Sequence, residues 1–439
     1  MNLSVLRLLL RPAPGSLGPL LIPAAAFAIV SALILTVVGG AQAFWRWDDE
    51  YAMIYQLLAT IALVLLVVPL GTLGGAAARL SARRRDERLS TLRLLGVTPA
   101  GVGVVAVVES TMIAAAGVAV GVVISYALVP AIALIPFRGA PLGTDAILVS
   151  PLVVAAIGLG TILLATVSAV IGLRQVVISP LGVRTRATPP RLHWIRAVIG
   201  VIVIAGGVIL AKLVPSLGGV LIITAVLGGL FAVALVVLNL LGPWLLQVSA
   251  RRQARTARTP HRLLAARIVL DSPKAAWRQV SGIAMSSFMA VFAGTGVALM
   301  NTMSADDASA QDLALVTDMR TGLIITLVGS FLMVAASVGV TQASDILDQR
   351  ELHRSLHYLG MPLDTVDAAR RRAIMSPLLF TALGSALCAA TLIFPLLGIA
   401  LITAPVSLLT IALVLAAGIG LVWVSTRATR PLLSRSFAA

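Results

Sequence analysis

The chain has 439 residues, 59% of them hydrophobic and 11% charged, where a soluble domain carries about 25% charged residues. Together with a mean hydropathy of +1.03, that balance excludes an ordinary soluble globular protein and predicts an all-α polytopic membrane protein. Lys and Arg number 33 against 17 Asp and Glu, but the basic residues sit in short clusters between apolar runs, so the excess points to the membrane surface and away from nucleic acid. A helix needs about 20 apolar residues to cross the hydrocarbon layer. In chain order the sequence offers ten such runs: 17–41, 52–78, 100–126, 146–172, 197–213, 218–247, 280–300, 321–343, 366–395 and 405–426. The first follows Arg7 and Arg11 but is too long for a signal h-region, and it reads as an anchored helix. The fifth and sixth are separated by a turn at 215–219. The single cysteine, Cys388, lies inside the ninth run, which rules out an intrachain disulfide and a cysteine-based metal site.

Placing the N-terminus inside puts 29 basic residues in cytoplasmic segments and leaves four outside, Arg46, Arg138, Lys212 and Arg320. One missed or extra span would scramble that alternation, so both termini are expected in the cytoplasm. Scarce Lys with abundant Arg, Ala and Gly points to a GC-rich bacterial genome, and the expected location is a bacterial cell membrane.

The chain repeats itself. Glu87, Arg88, Leu92, Leu95 and Gly96, after the second span, align with Glu351, Leu352, Leu356, Leu359 and Gly360, after the eighth, at an offset of 264. Residues 6–10, before the first span, resemble 266–270, before the seventh. Helices one to four and seven to ten are therefore read as two parallel copies of one unit, residues 1–178 and 261–439, joined by cytoplasmic linkers and helices five and six over 179–260. In each copy the leucines recur at helical spacing and end in a glycine, with Pro99 or Pro362 beyond it, which predicts a short amphipathic helix outside the bilayer. Duplication of Leu-x-x-Leu-Gly reads as two matching docking pegs for a two-fold symmetric partner.

Leu92-Arg93-Leu94-Leu95-Gly96-Val97, Glu109 thirteen residues after the glycine, and Ile178-Ser179-Pro180-Leu181-Gly182-Val183-Arg184 after the fourth span resemble FtsX-like ABC transporter permeases. In the second copy Ala373 stands where the first has Glu109. The resemblance implies units of one span, an extracytoplasmic segment and three more spans. It also implies that the loop between the second and third spans couples to a homodimeric ABC ATPase through Glu87, Arg88, Leu92, Leu95 and Gly96 in one unit and Glu351, Leu356, Leu359 and Gly360 in the other. Ten spans on one chain resemble the bacitracin-resistance exporters, but only residues 301–320 stand where those carry a large extracellular domain.

A nucleotide-binding loop needs Gly-x-x-x-x-Gly-Lys-Ser/Thr, and neither Lys212 nor Lys274 lies in one. No catalytic site is expected on this chain, and ATP and Mg are assigned to the partner ATPase. His353 and His357 stand one helical turn apart without a third ligand, so no metal is assigned. Within the spans Glu109 is the one clear ionisable residue, at a cost of about 2.5 to 3.5 kcal/mol if unpaired at mid-membrane. It and Asn239 are read as interhelical ties. Gly71-x-x-x-Gly75 and Gly117-x-x-x-Gly121 are read as close helix contacts. The function these features imply is export of a hydrophobic or amphipathic compound (an antimicrobial, a lipid or a haem-like molecule) from the membrane. The alternative is an ATP-driven transmembrane signal transmitter that regulates a membrane or cell-wall partner without transport. A secondary transporter fits poorly, because buried charge is scarce.

Overall fold

In the hydrocarbon layer no water is present to take backbone N–H and C=O groups, so long apolar runs satisfy themselves as helices. The computed structural model describes residues 17–49, 51–83, 99–178, 206, 220–303, 310–431 and 433–434, and they are helical almost throughout. The helices are α1 (Leu17–Gln42), α2 (Ala52–Arg83), α3 (Pro99–Ala133), α4 (Thr144–Ile147), α5 (Pro151–Ile178), α6 (Val220–Arg255), α7 (Pro260–Asp271), α8 (Pro273–Met303), α9 (Ala310–Asp348), α10 (Arg350–Tyr358), α11 (Leu363–Leu392), α12 (Phe394–Thr403) and α13 (Pro405–Ala428). Among the described residues nine of them, α1, α2, α3, α5, α6, α8, α9, α11 and α13, are long and apolar enough to cross a membrane. The protein is an all-α polytopic membrane protein. The nine overlap nine of the ten runs read from the sequence; the other, 197–213, lies outside the described residues except for Gly206.

Contacts divide the chain into two compact units, the described residues of Met1–Ala187, Ala336–Arg354 and Pro431–Ala439 in one and those of Thr188–Ala335 and Ser355–Arg430 in the other. In the first, α3 lies against α1 at two glycines. A Cβ on Gly117 would stand 2.6 Å from the Ala24 carbonyl oxygen, and one on Gly121 would stand 2.6 Å from that of Ala28. The small-x-x-x-small spacing is therefore a true close approach of two backbones. Gly71, by contrast, faces open space. Ala26, Phe27 and Val30 of α1 continue the core against Leu73, Ala76 and Ala77 of α2, Ala114 of α3 and Ala165 of α5.

In the second unit α11 packs on α8, and Phe231 of α6 meets Phe288 and Phe292 of α8 with ring centroids 5.6 and 5.3 Å apart. Such offsets suit the ring quadrupoles. Gly418 of α13 lies under the Phe331 ring of α9, and the Ser425 hydroxyl donates to the Ala335 carbonyl at 2.6 Å. Two elements break the simple alternation of spans. Helix α7 is a separate 12-residue helix before the seventh predicted span. Helix α12, ten apolar residues begun by Phe394-Pro395, is too short to cross and joins α11 to α13.

Candidate functional site

Helix α10 carries the second predicted docking peg. Leu352, Leu356 and Leu359 recur at i, i+4 and i+7 and so share one face; Leu352 is 53% and Leu359 82% exposed, and Leu356 is half-buried. Glu351 lies in the same helix. The helix stops where the sequence places the stop. Gly360 has φ 78°, the left-handed conformation that suits glycine at a C-cap. Around it the Leu359 N–H donates to the Ser355 carbonyl at 3.1 Å and the Met361 N–H to the Leu356 carbonyl at 3.0 Å. Glu87, Arg88, Leu92, Leu95 and Gly96, the first peg, lie outside the described residues.

Two residues beyond the turn α11 begins, and its root holds charges that hydropathy did not single out. Asp367 is 1% exposed and Arg370 9%. An Asp367 carboxylate oxygen is 3.5 Å from Arg370 Nη2, and the other is 3.2 Å from Arg371 Nε. Arg370 also donates to the Thr429 hydroxyl at 2.9 Å, and Arg430 pairs with Asp364 at 2.9 Å. The root of α11 is thereby stapled to the chain just after α13. A buried pair of this kind gives little net stability while intact, but it is costly to break from one side. The sequence signal was Asp367-x-x-Arg370-Arg371, i, i+3 and i, i+4 pairs on one helix face.

At membrane depth, Asn239 of α6 accepts a hydrogen bond from Trp277 Nε1 of α8 at 2.8 Å, the contact an interhelical tie requires. Glu109 is half-buried on α3 beside the fully buried Ser110 and is engaged by the surrounding structure. One residue on, the Thr111 hydroxyl meets that of Thr166 on α5 at 3.0 Å. In the second unit the hydroxyls of Ser286 on α8 and Ser330 on α9 are hydrogen-bonded, and Thr381 and Ser385 are buried on α11. Cys388 packs half-buried beside the Phe288, Ala389 and Leu392 cluster. Among the described residues no three His, Cys, Asp or Glu side chains gather as a metal would need.

The other end of the first unit holds a cluster that the sequence reading missed. Phe137 pairs with Ala140 across a two-residue turn whose residues, Arg138 and Gly139, have φ 55° and 77°. Positive φ at both central positions is the type I′ hairpin turn, and at a non-glycine residue such as Arg138 it costs about 1 to 2 kcal/mol. The Arg138 guanidinium is half-buried. It donates twice to Asp49, with Nη2 at 2.9 Å from Oδ1, and lies 3.8 Å above the Trp47 ring and 4.6 Å above that of Tyr55. Phe44 closes the group, 5.1 Å from Phe137 and 5.3 Å from Trp47 between centroids. The hydrogen bonds from Arg138 hold the Asp49 carboxyl below its ordinary pKa against the opposing effect of burial, and the guanidinium charge adds to them. Below the cluster, the Gln42 amide donates to the Leu148 carbonyl at 2.8 Å and reaches those of Ala146 and Ile147, which α4 leaves open at its C-terminus. The readable signal was Arg138-Gly139 between Pro136-Phe137 and Ala140-Pro141, on the side of the membrane with few basic residues.

Compared with protein-family models and with curated proteins, the chain matches none.

Proposed function

We propose that this chain is the permease subunit of an ABC-type exporter, driven by a separate homodimeric ATPase that binds ATP and Mg, and that α10 is one of its two docking pegs. The observation that carries the reading is the stripe of Leu352, Leu356 and Leu359, its two ends exposed and its middle half-buried, along a short helix and its C-terminal turn. In water such a stripe is a liability; in the groove of a partner it is an anchor read at i, i+4 and i+7. The stripe is joined to α11 by only the Gly360 turn and Pro362, and the root of α11 is stapled by Asp367, Arg370 and Thr429, so a push on α10 reaches a membrane-spanning helix without slack. The resemblance to FtsX-like permeases in the residues around Leu92–Gly96 supports the same role for the first loop. The cargo is a hydrophobic or amphipathic molecule that enters from the membrane, and the cell membrane of a bacterium, with both termini in the cytoplasm, is the setting.

The test is co-purification. The full-length chain, extracted in mild detergent from its native cells, should bring down an ATP-hydrolysing subunit. The L356D/L359D variant should elute as a folded species and lose most of that hydrolysis, because a charge driven into an apolar groove is desolvated without a partner. Undiminished ATPase with the double variant refutes the docking role.

A further inference from the structure

Helix α7 has no part in the docking reading above. Its burial pattern has two sides. Ala265, Ala266 and Val269 are buried, packing with Ala250 of α6 and Ala373 of α11. On the other side Leu263 and Ile268 are 44% and 47% exposed with Arg267 between them, and Arg262, also exposed, stands at the N-terminal end of the helix in line with the packed residues. Both ends of α7 are tied to membrane-spanning helices by short connections, residues 256–259 from α6 and Ser272 to α8. A helix of 12 residues, about 18 Å long, is thus pinned at the membrane surface. Between 251 and 278 the chain has eight basic residues and a single acid, Asp271. All eight are exposed, and among the described residues none of them forms a salt bridge.

We propose that the exposed surface of α7 is a binding site for an acidic phospholipid, with the headgroup phosphate held by Arg267 and, from the N-terminal end of the helix, by Arg262, and an acyl chain laid over Leu263 and Ile268. Each half of the pattern asks for one half of that ligand. Exposed Leu and Ile at a headgroup boundary gain by burial in the acyl region, and Arg forks match phosphate oxygens bidentately. A soluble anion would leave the leucine and isoleucine in water. A neutral lipid would leave a concentrated positive charge uncompensated. Basic residues spread along loops would suffice to orient the chain in the membrane, whereas here they are fixed by a packed helix beside apolar partners. The site is independent of whether an ATPase docks on α10.

The test uses the full-length protein in nanodiscs of phosphatidylcholine mixed with phosphatidylglycerol, with retained lipid identified by native mass spectrometry after mild detergent exchange. Wild type should retain phosphatidylglycerol selectively. R262Q/R267Q should weaken that retention by about 30-fold at low salt, since each basic residue at the surface contributes about fivefold, while R262K/R267K should keep a good part of it. Soluble glycerophosphoglycerol should compete poorly, and L263S/I268S should lower retention without changing headgroup preference. Equal retention of the two lipids by wild type overturns the proposal. So does full competition by the soluble headgroup, which would make this a free-anion site, or unchanged retention in R262Q/R267Q. If the glutamine variant fails to elute as a single folded species, the wild-type selectivity and the soluble-headgroup competition decide the matter by themselves.

Discussion

Helices α3 and α11 begin at the same position of the repeat, Pro99 and Leu363, yet they meet the membrane differently. In α3 the positions equivalent to Asp367, Arg370 and Arg371 are Gly103, Ala106 and Val107, and the acid comes later, at Glu109, where α11 has Ala373. Further along, Gly117 and Gly121 let α3 touch the α1 backbone, whereas α11 has Thr381 and Ser385, whose hydroxyls bond back to the carbonyls of Pro377 and Thr381 on their own helix. The connections that follow differ too. The first unit closes α3 to α5 with a hairpin clasped by Asp49, and the second closes α11 to α13 with the apolar helix α12. Where the sequence reads as two copies of one unit, the chemistry that fixes the helices differs: close backbone packing and a polar clasp around α3, a buried ion pair and an apolar connector around α11. Matching pegs on unequal units would make the two halves respond unequally to a symmetric partner.

The largest expected effect is at the root of α11. Asp367→Ala leaves two arginines without their shared carboxylate and should cost about 3 to 5 kcal/mol, read as a sharp fall in thermal midpoint in detergent. Glu109→Gln should cost far less, because an amide preserves a hydrogen-bonding tie; equal losses in the two variants would erase the asymmetry drawn here. Next, Gly121→Leu should destabilise by about 1 to 3 kcal/mol, because its Cβ falls on the Ala28 carbonyl oxygen. Ser385→Ala should cost under about 1 kcal/mol, and a reversed ranking would show that the two interfaces are not built as described. Gly360→Ala should then cost about 1 kcal/mol through its positive φ and should loosen ATPase binding more than stability, a split visible by measuring both.

The smallest effect concerns acid. Asp49 has a lowered pKa in the folded protein, so its contribution is present above the unfolded-state pKa and is lost as pH falls through the lower, folded-state value. Fluorescence of Trp47, beneath Arg138, should therefore change only below the ordinary carboxylate range, and Arg138→Gln should remove that transition. An unaltered transition in that variant would assign it to another group.

Much of this fold is legible in composition, because one helix's length and apolarity decide whether it crosses, and a hydropathy window sees both. The leucine spacing and terminal glycine of α10 are equally local, so this short helix and its Gly360 stop could be placed by residue number. Arg138 and Asp49 are 89 residues apart, and no local pattern pairs them. Charge counting places Arg138 among the four outside basic residues and goes no further, whereas the fold sets its guanidinium against the Asp49 carboxylate. Helix α7 has no single apolar periodicity to mark it, because Leu263, Ala266, Ile268 and Val269 serve two different faces and blur into the surrounding arginines. The difference between Gly71 and Gly117 shows the same limit: the spacing is identical, and only the neighbouring helix decides which one makes a contact.

The most direct test of the docking account is a photo-crosslinking amino acid placed at Leu359 in the full-length chain in its native membrane, with the same residue at Leu263 as control. The account predicts an adduct between position 359 and an ATP-hydrolysing subunit, with none from position 263. No protein adduct at 359, or an equal adduct at both positions, would contradict it.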